Sequence, residues 1–135
     1  MKSKLPHVGT TIFSVMSALA NECQAINLSQ GFPNFPVDQR LISLVQENCL
    51  ANVHQYAPMT GILELREQIV QKINLHYQRK LDASNVLITA GATQAIFATI
   101  QALVHPGEEV IILDPSYDCY ESPVILSGAK AIRIP

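Results

Sequence analysis

The second half of the chain alternates short β-branched runs with helical segments, and this alternation is what most limits the fold. Val86 to Thr89 and Glu109 to Leu113 predict buried strands, and Ala131 to Ile134 predicts a third. The segments between them, Gln94 to Val104 and Tyr117 to Ser127, have the pattern of helices. A β-α-β-α-β order requires right-handed crossovers, so we predict an α/β fold with a three-stranded parallel sheet.

Three helical patterns precede this alternation. Apolar residues recur at helical spacing in Thr10 to Asn21, Gln39 to Leu50 and Ile62 to Gln78, and Asp38 stands where the second helix needs an N-cap. We expect the second and third helices to pack one-sided on a core. Between the first two helices, Asn27 to Pro36 is dense in glycine, proline and asparagine and predicts a loop with a fixed path.

The end of the sequence suggests that the sheet is unfinished. A three-stranded parallel sheet that stops at Pro135 would leave a face and an edge uncovered. We therefore expect an incomplete domain, the start of a mostly parallel large domain that is preceded by an N-terminal arm and helices.

Composition excludes several classes of partner. The net charge is −2 over 135 residues and no Lys/Arg cluster occurs, which argues against nucleic acid or a membrane as the main partner. Cys23, Cys49 and Cys119 are widely spaced and form no C-x-x-C motif, so neither a disulfide framework nor a zinc site is indicated. The four histidines also lack metal-binding spacing. We expect no metal and a cytoplasmic location.

The strongest local signal for a ligand lies in Leu87 to Gln94, where a strand pattern turns through Gly91 into a helix pattern. The start of a helix presents backbone N–H groups and a positive dipole end, and Thr93 adds a hydroxyl donor, so this geometry binds anions such as phosphate. The patterns of a P-loop and of a dinucleotide site are absent. An ordinary strand-to-helix turn with Thr93 as a cap explains the same residues.

Two tyrosines could complete such a pocket. Tyr117 follows the second strand and would lie at the same carboxyl edge of the sheet, where its ring could stack on a flat heterocycle. Tyr56, in a polar loop, could offer its hydroxyl to a ligand or partner. Taken singly, each has a simpler interpretation: Tyr117 as a core or edge aromatic, and Tyr56 as a loop residue that packs on its own helix.

Four motifs, taken in order, resemble the class I aminotransferases of fold type I, which depend on pyridoxal 5'-phosphate. The similarity is greatest to the methionine aminotransferase and kynurenine aminotransferase branch and covers essentially the whole chain. The four motifs are Asn27-Leu28-Ser29-Gln30-Gly31-Phe32-Pro33, Gln55-Tyr56-Ala57-Pro58-Met59-Thr60-Gly61, Thr89-Ala90-Gly91-Ala92-Thr93-Gln94 and Asp114-Pro115-Ser116-Tyr117-Asp118.

The resemblance implies a cofactor site. In this family the residues that match Gly91, Ala92 and Thr93 hold the cofactor phosphate through their backbone N–H groups. The residue that matches Tyr117 stacks on the pyridine ring. The residue that matches Tyr56 reaches across a homodimer interface to the phosphate of the neighbouring subunit, so the resemblance implies a homodimer.

The resemblance further implies a substrate pocket and a domain organisation. Phe13 and Gly31 match positions that line the pocket, Gly31 through its backbone. Residues 1–40 match the N-terminal arm and part of the small domain, and residues 41–135 match the first part of the cofactor-binding large domain. The implied reaction moves an amino group from an amino acid, with a methionine, aromatic or similar apolar side chain, to a 2-oxo acid.

No catalytic residue is assigned in this chain. The family's cofactor-binding lysine, ring-nitrogen acid and carboxylate-binding arginine match positions downstream of this region. The five lysines present stand outside the serine-rich context that the family uses: Lys2, Lys4, Lys72, Lys80 and Lys130. We therefore expect residues 1–135 to be inactive alone. The alternative is a catalytically inactive fragment that serves as a phosphate-ligand-binding or dimer-interaction module.

Overall fold

A computed structural model of the protein describes residues 2–31 and 33–135. These residues form helices and strands in the order α1 (Ile12–Glu22), α2 (Gln39–Leu50), α3 (Leu63–Tyr77), α4 (Gly91–Leu103), β1 (Glu109–Leu113), α5 (Glu121–Leu126) and β2 (Lys130–Ile134). A short 3-10 helix, Ala83–Asn85, lies between α3 and α4. The contacts divide the described chain into two units, residues 2–31 with 90–135 and residues 33–89.

In the first unit, β1 and β2 form a parallel pair, which confirms the predicted α/β class. Their register runs from Glu109 opposite Lys130 to Leu113 opposite Ile134. The crossover between the strands contains α5, whose Val124 is fully buried. Crossovers of this kind return a parallel strand to the same sheet, with both strands ending at one edge.

The predicted strand from Val86 to Thr89 was wrong, and the described sheet has two strands rather than three. Val86 has extended dihedrals (φ −119°, ψ 127°), and the Ile88 N–H donates to the Thr60 carbonyl at 3.1 Å. A strand requires a ladder of such bonds to a neighbouring extended segment. This segment is therefore extended, but no ladder forms along it within the described ranges.

Two predicted helix starts were also wrong. The fourth helix begins at Gly91 rather than at Gln94, so the proposed phosphate turn is the first helical turn itself. The fifth helix begins at Glu121 rather than at Tyr117, because the Tyr120 N–H donates to the Tyr117 carbonyl at 3.3 Å in a separate turn. Tyr117 therefore lies in the loop ahead of α5.

In the second unit, α2 has the predicted bounds, and the Asp38 carboxylate accepts a hydrogen bond from the Arg40 N–H at 2.7 Å as the predicted N-cap. No described residue of either helix is buried, although Ile69 on one face of α3 is half-buried, so one-sided packing on a core stays a prediction. Leu41 and Val45, on the apolar stripe of α2, are each more than half exposed.

Arg66 of α3 forms hydrogen bonds with the chain segment that precedes α4. Its Nε donates to the carbonyls of Ala83 (3.1 Å) and Val86 (3.0 Å), and its Nη2 also donates to Ala83. Its Nη1 donates to the Thr60 hydroxyl at 3.0 Å. Gly61, at φ +97°, packs closely against Ile88, because a Cβ added to Gly61 would be 2.6 Å from the Cβ of Ile88. One guanidinium thus joins the end of the loop that carries Tyr56 to the segment before Thr89.

None of the described helices is both long enough and apolar enough to cross a membrane.

Candidate functional site

The predicted phosphate turn is the start of α4. Gly91 has φ +84°, a conformation that costs an L-residue roughly 1 kcal/mol or more, and an added Cβ would meet nothing within 4 Å. Ala92 and Thr93 follow in the first turn of α4. In the first turn of any helix, the backbone N–H groups have no helical carbonyl four residues earlier to bond to. The glycine therefore sets the entry angle of the helix and leaves open space beside it.

The cap of α4 leaves this turn accessible to a ligand. The N-cap residue is Ala90, which makes no side-chain cap bond, and the first turn contains no acidic residue. Thr93 does not act as the cap, so the simpler interpretation of the turn was wrong in this respect. The Gln94 side-chain oxygen accepts a hydrogen bond from the Ala90 N–H, which closes the turn from its own side. The positive end of the helix dipole is thus unopposed by a local carboxylate.

An aromatic cluster surrounds Tyr117 in the same unit. The Tyr117 ring lies 6.0 Å from the Phe13 ring and 6.2 Å from the Tyr120 ring, measured between centroids. Tyr117 remains 51% exposed, so one side of the ring is accessible. Ring pairs at these separations stabilise each other while leaving an outer face open for stacking.

Tyr117 lines two cavities. One of about 310 Å³ also contains Phe13, Gln30 and Asp118 in its wall. The other, of about 580 Å³, is lined by residues of β1 and by Ile96 of α4. The tyrosine therefore lies between a small polar cavity at α1 and a larger apolar cavity beside the helix that begins at Gly91.

Hydrogen bonds from Asn27 fix the loop that leads to Gly31. The Asn27 Nδ2 donates to the Ser17 hydroxyl of α1 at 3.0 Å, and the Asn27 Oδ1 accepts from the Ser29 N–H at 2.9 Å. Gly31 is exposed, with nothing within 4 Å of an added Cβ. Its neighbour Gln30 lines the small cavity with Phe13 and Tyr117, so the loop brings this part of the chain to the predicted substrate side.

Tyr56 belongs to the second unit and is fully exposed, at 103% of its reference area. It does not pack on its own helix, so the simpler interpretation of this residue was wrong. An uncovered tyrosine ring of this size is available for contact with another molecule.

Three residues that contribute to this region were missed from the sequence. Asn27 could have been found, because Asn followed two residues later by Ser is typical of a local side-chain turn. Tyr120 gave a weak signal through its spacing from Tyr117. Arg133 gave none, since its partners Asp114 and Glu121 are distant in sequence. Hydrogen bonding and attraction from Glu121, and then from Asp114, raise the pKa of the Arg133 guanidinium.

Within residues 2–31 and 33–135, no three His, Cys, Asp or Glu side chains are placed to hold a metal ion. The family model for aminotransferase class I and II matches residues 24–135. The chain belongs to the class I and II aminotransferases. The family model therefore confirms the resemblance to aminotransferases that the four sequence motifs indicated.

Two relatives show where this aminotransferase chain lies in the family. It is 52% identical over 134 residues to methionine aminotransferase of Escherichia coli, covering 98% of this chain and 35% of that enzyme. It is 38% identical over 123 residues to kynurenine–oxoglutarate transaminase 3 of Rattus norvegicus, covering 87% of this chain and 26% of that enzyme. The chain thus spans between about a quarter and about a third of the length of these relatives.

Solved aminotransferase structures share the fold. The crystal structure of the Escherichia coli methionine aminotransferase superposes with a TM-score of 0.92 at 50% identity, over 99% of this chain and 35% of that one. The N-succinyldiaminopimelate aminotransferase of Mycobacterium tuberculosis gives 0.90 at 38% identity, over 100% and 35%. The described residues therefore have the architecture of the beginning of a fold type I aminotransferase.

Proposed function

We propose that the protein containing this chain is a pyridoxal-phosphate-dependent aminotransferase. It transfers an amino group from an amino acid with a methionine, aromatic or similar apolar side chain to a 2-oxo acid. The observation that carries the proposal is the start of α4, where Gly91 has φ +84° with nothing within 4 Å of an added Cβ, and where the first turn contains no acidic residue. The 52% identity to a methionine aminotransferase supports the choice of amino donor.

The residues of this chain fit the phosphate end of the cofactor. The N–H groups of Ala92 and Thr93 would donate to phosphate oxygens, and Gly91 would allow their close approach. Tyr117 would stack its exposed ring on the pyridine and limit the ways in which the ring can tilt. When bound, pyridoxal phosphate accepts the electron pair released as the substrate loses the proton on its α-carbon.

The substrate side is proposed to lie at the small cavity. Phe13 would contact an apolar substrate side chain, and Gly31 would contribute its backbone. Tyr56 would reach the phosphate of a second copy, so that a homodimer completes the site. The assignment of residues 1–40 and 41–135 to two domains, and a cytoplasmic location, stay predictions.

The alternative, an inactive module for phosphate ligands or dimer contact, is not favoured by the two relatives described above, which are named as a methionine aminotransferase and a kynurenine–oxoglutarate transaminase. Residues 1–135 alone are a different matter. They contain no lysine in the expected context, so we expect them to form no covalent adduct with the cofactor. An absorbance band of lysine-bound cofactor that survives dialysis of this segment would contradict that expectation.

The test of the proposed function uses the protein as its gene encodes it. Methionine, phenylalanine and aspartate are supplied in turn as amino donors with a set of 2-oxo acids, and the new amino acid is quantified. We expect turnover with methionine and phenylalanine to exceed turnover with aspartate by about tenfold or more, since the ring of Phe13 in the cavity wall would favour an apolar side chain over a charged one. Equal turnover of all three donors, or none, would overturn the proposal.

A further inference from the structure

Tyr117 is carried by the segment that joins β1 to α5. The segment begins at Asp114, directly after β1, and ends at Glu121, the first residue of α5. The Asp114 N–H donates to the Ile134 carbonyl at 2.7 Å, which anchors the beginning of the segment to β2. Both ends of the segment are therefore acidic, at Asp114 and at Glu121.

Arg133 of β2 contacts both ends. Its Nη1 lies 3.1 Å from Asp114 Oδ1, and its Nη2 lies 2.7 Å from Glu121 Oε2. Its Nε also donates to Glu121 Oε1 at 3.4 Å, so the contact with Glu121 uses two nitrogens and two oxygens. A planar guanidinium can satisfy two carboxylates at once in a fixed orientation, which an ammonium group cannot do.

The same strand pair offers a contrast. Lys130 of β2 pairs with Glu109 of β1 through a single contact of 3.4 Å, and these side chains are 71% and 62% exposed. Arg133 is 46% exposed, and its partners Asp114 and Glu121 are 41% and 38% exposed. Single exposed pairs contribute little, whereas networks with two-point geometry are the exception. The Arg133 cluster is such a network, and the Lys130 pair is not.

We propose that Arg133 is a positioning residue that ties together the two ends of segment 114–121 and thereby sets where the Tyr117 ring lies. The geometry supports this directly, because the guanidinium joins the first and last residues of the segment while Tyr117 lies between them. Arg133 touches neither cofactor nor substrate in this proposal. Its value for the reaction rests on the proposed function, in which Tyr117 stacks on the cofactor ring.

The position of the ring can be measured without cofactor. The protein as its gene encodes it is labelled with 3-fluorotyrosine, and the Tyr117 signal is assigned by its loss in Tyr117→Phe. We expect Arg133→Gln and Glu121→Gln to shift or broaden this ¹⁹F signal, and Lys130→Gln to leave it in place. Lys130→Gln is the matched control because it removes one positive charge and one ion pair from the same strand. If Arg133→Gln does not fold, Glu121→Gln tests the same tie with the arginine retained.

Coupling between the two partners provides the sharper test. In the double variant Arg133→Gln/Glu121→Gln, the shift should equal that of Arg133→Gln alone, because losing the guanidinium already breaks the contact with Glu121. Additive shifts, an unmoved signal in Arg133→Gln, or an equal shift in Lys130→Gln would overturn the proposal. Arg133→Lys should behave as Arg133→Gln does, since one ammonium cannot reproduce the two-point contact.

Cofactor titration separates this inference from the proposed function. We expect Arg133→Gln to weaken the binding of pyridoxal phosphate about tenfold, which is the usual effect of losing one hydrogen bond between charged groups. Lys130→Gln should leave the affinity for pyridoxal phosphate unchanged. If Tyr117→Ala leaves cofactor binding unchanged while Arg133→Gln still moves the fluorine signal, the tie stands and the cofactor role of Tyr117 fails. If Tyr117→Ala weakens cofactor binding but Arg133→Gln changes neither the fluorine signal nor the cofactor affinity, the positioning role of Arg133 is wrong and the proposed function stands.

Discussion

The ring of Phe13, on α1, lies against the ring of Tyr117, with centroids 6.0 Å apart and planes inclined by 37°. Both side chains line the same cavity of about 310 Å³. The helix near the amino terminus and the loop after β1 therefore meet at the proposed site, and the contact joins a residue proposed for substrate to one proposed for cofactor.

Shortening Phe13 should affect substrate more than cofactor. We expect Phe13→Ala to raise KM for methionine about fivefold to tenfold, because an apolar contact is lost, while the Kd for pyridoxal phosphate changes less. Ile12→Ala is the control, since Ile12 is the neighbouring residue on α1 and is 62% exposed. Steady-state kinetics and a cofactor titration make the comparison. An unchanged KM in Phe13→Ala would contradict the proposed contact of Phe13 with the substrate.

Gly91 and Gly107 allow backbone strain to be separated from ligand binding. Both have positive φ, +84° and +87°, and neither has a neighbour within 4 Å of an added Cβ. Gly91→Ala and Gly107→Ala should each lower the free energy of unfolding by about 1 kcal/mol. Only Gly91→Ala should also weaken the binding of pyridoxal phosphate, by about tenfold, as its methyl group displaces the phosphate from the N–H groups of the turn. Equal losses of affinity in both variants would show that the effect is global.

Arg66 should control the local stability of the segment before Thr89. In Arg66→Ala the carbonyls of Ala83 and Val86 lose their donor, at a cost of about 2 kcal/mol. We expect hydrogen exchange of the Ile88 N–H, which is bonded to Thr60, to accelerate about tenfold or more. Arg79→Ala removes an equal charge from an exposed position and should leave this exchange rate unchanged. Comparable acceleration in both variants would argue against a specific brace.

Asp82 gives a pH-dependent contribution at the 3-10 helix. Hydrogen bonds from the Ser84 hydroxyl and backbone N–H hold the pKa of the Asp82 carboxyl below its usual range. This stabilisation is complete above about pH 4, the range of an unfolded Asp, and is lost as the pH falls through the lower folded pKa. An NMR titration of the carboxyl carbon should show the low midpoint, and Ser84→Ala should move it upward. A midpoint that Ser84→Ala does not move would assign the shift to another cause.

The sequence predicts best where the determinants are local. The bounds of α2 and β1 follow from apolar spacing, and Asp38 caps α2 because its carboxylate needs only the Arg40 N–H two residues away. The segment from Val86 to Thr89 fails for the opposite reason, since its β-branched residues make it extended but a strand also needs a distant ladder partner. Local preference cannot supply that partner.

The site divides in the same way. A glycine between an extended run and a helical run indicates the turn at Gly91, because both parts of the signal are adjacent. The contact of Phe13 with Tyr117 depends on the path of the chain between them, so the sequence did not predict it; the family resemblance implied only a role for each residue. Arg133 was missed because its two carboxylate partners come together only once β1, α5 and β2 are folded.

The alanine at the N-cap of α4 has a consequence for cellular abundance. In the proposed site, phosphate oxygens would accept hydrogen bonds from the N–H groups of this first turn, so folding and cofactor binding would be thermodynamically linked. A ligand at a hundred times its Kd adds about 2.7 kcal/mol to the folded state. In the proposed holoenzyme, the supply of pyridoxal phosphate would raise the amount of this protein that survives proteolysis, in addition to the amount that is active.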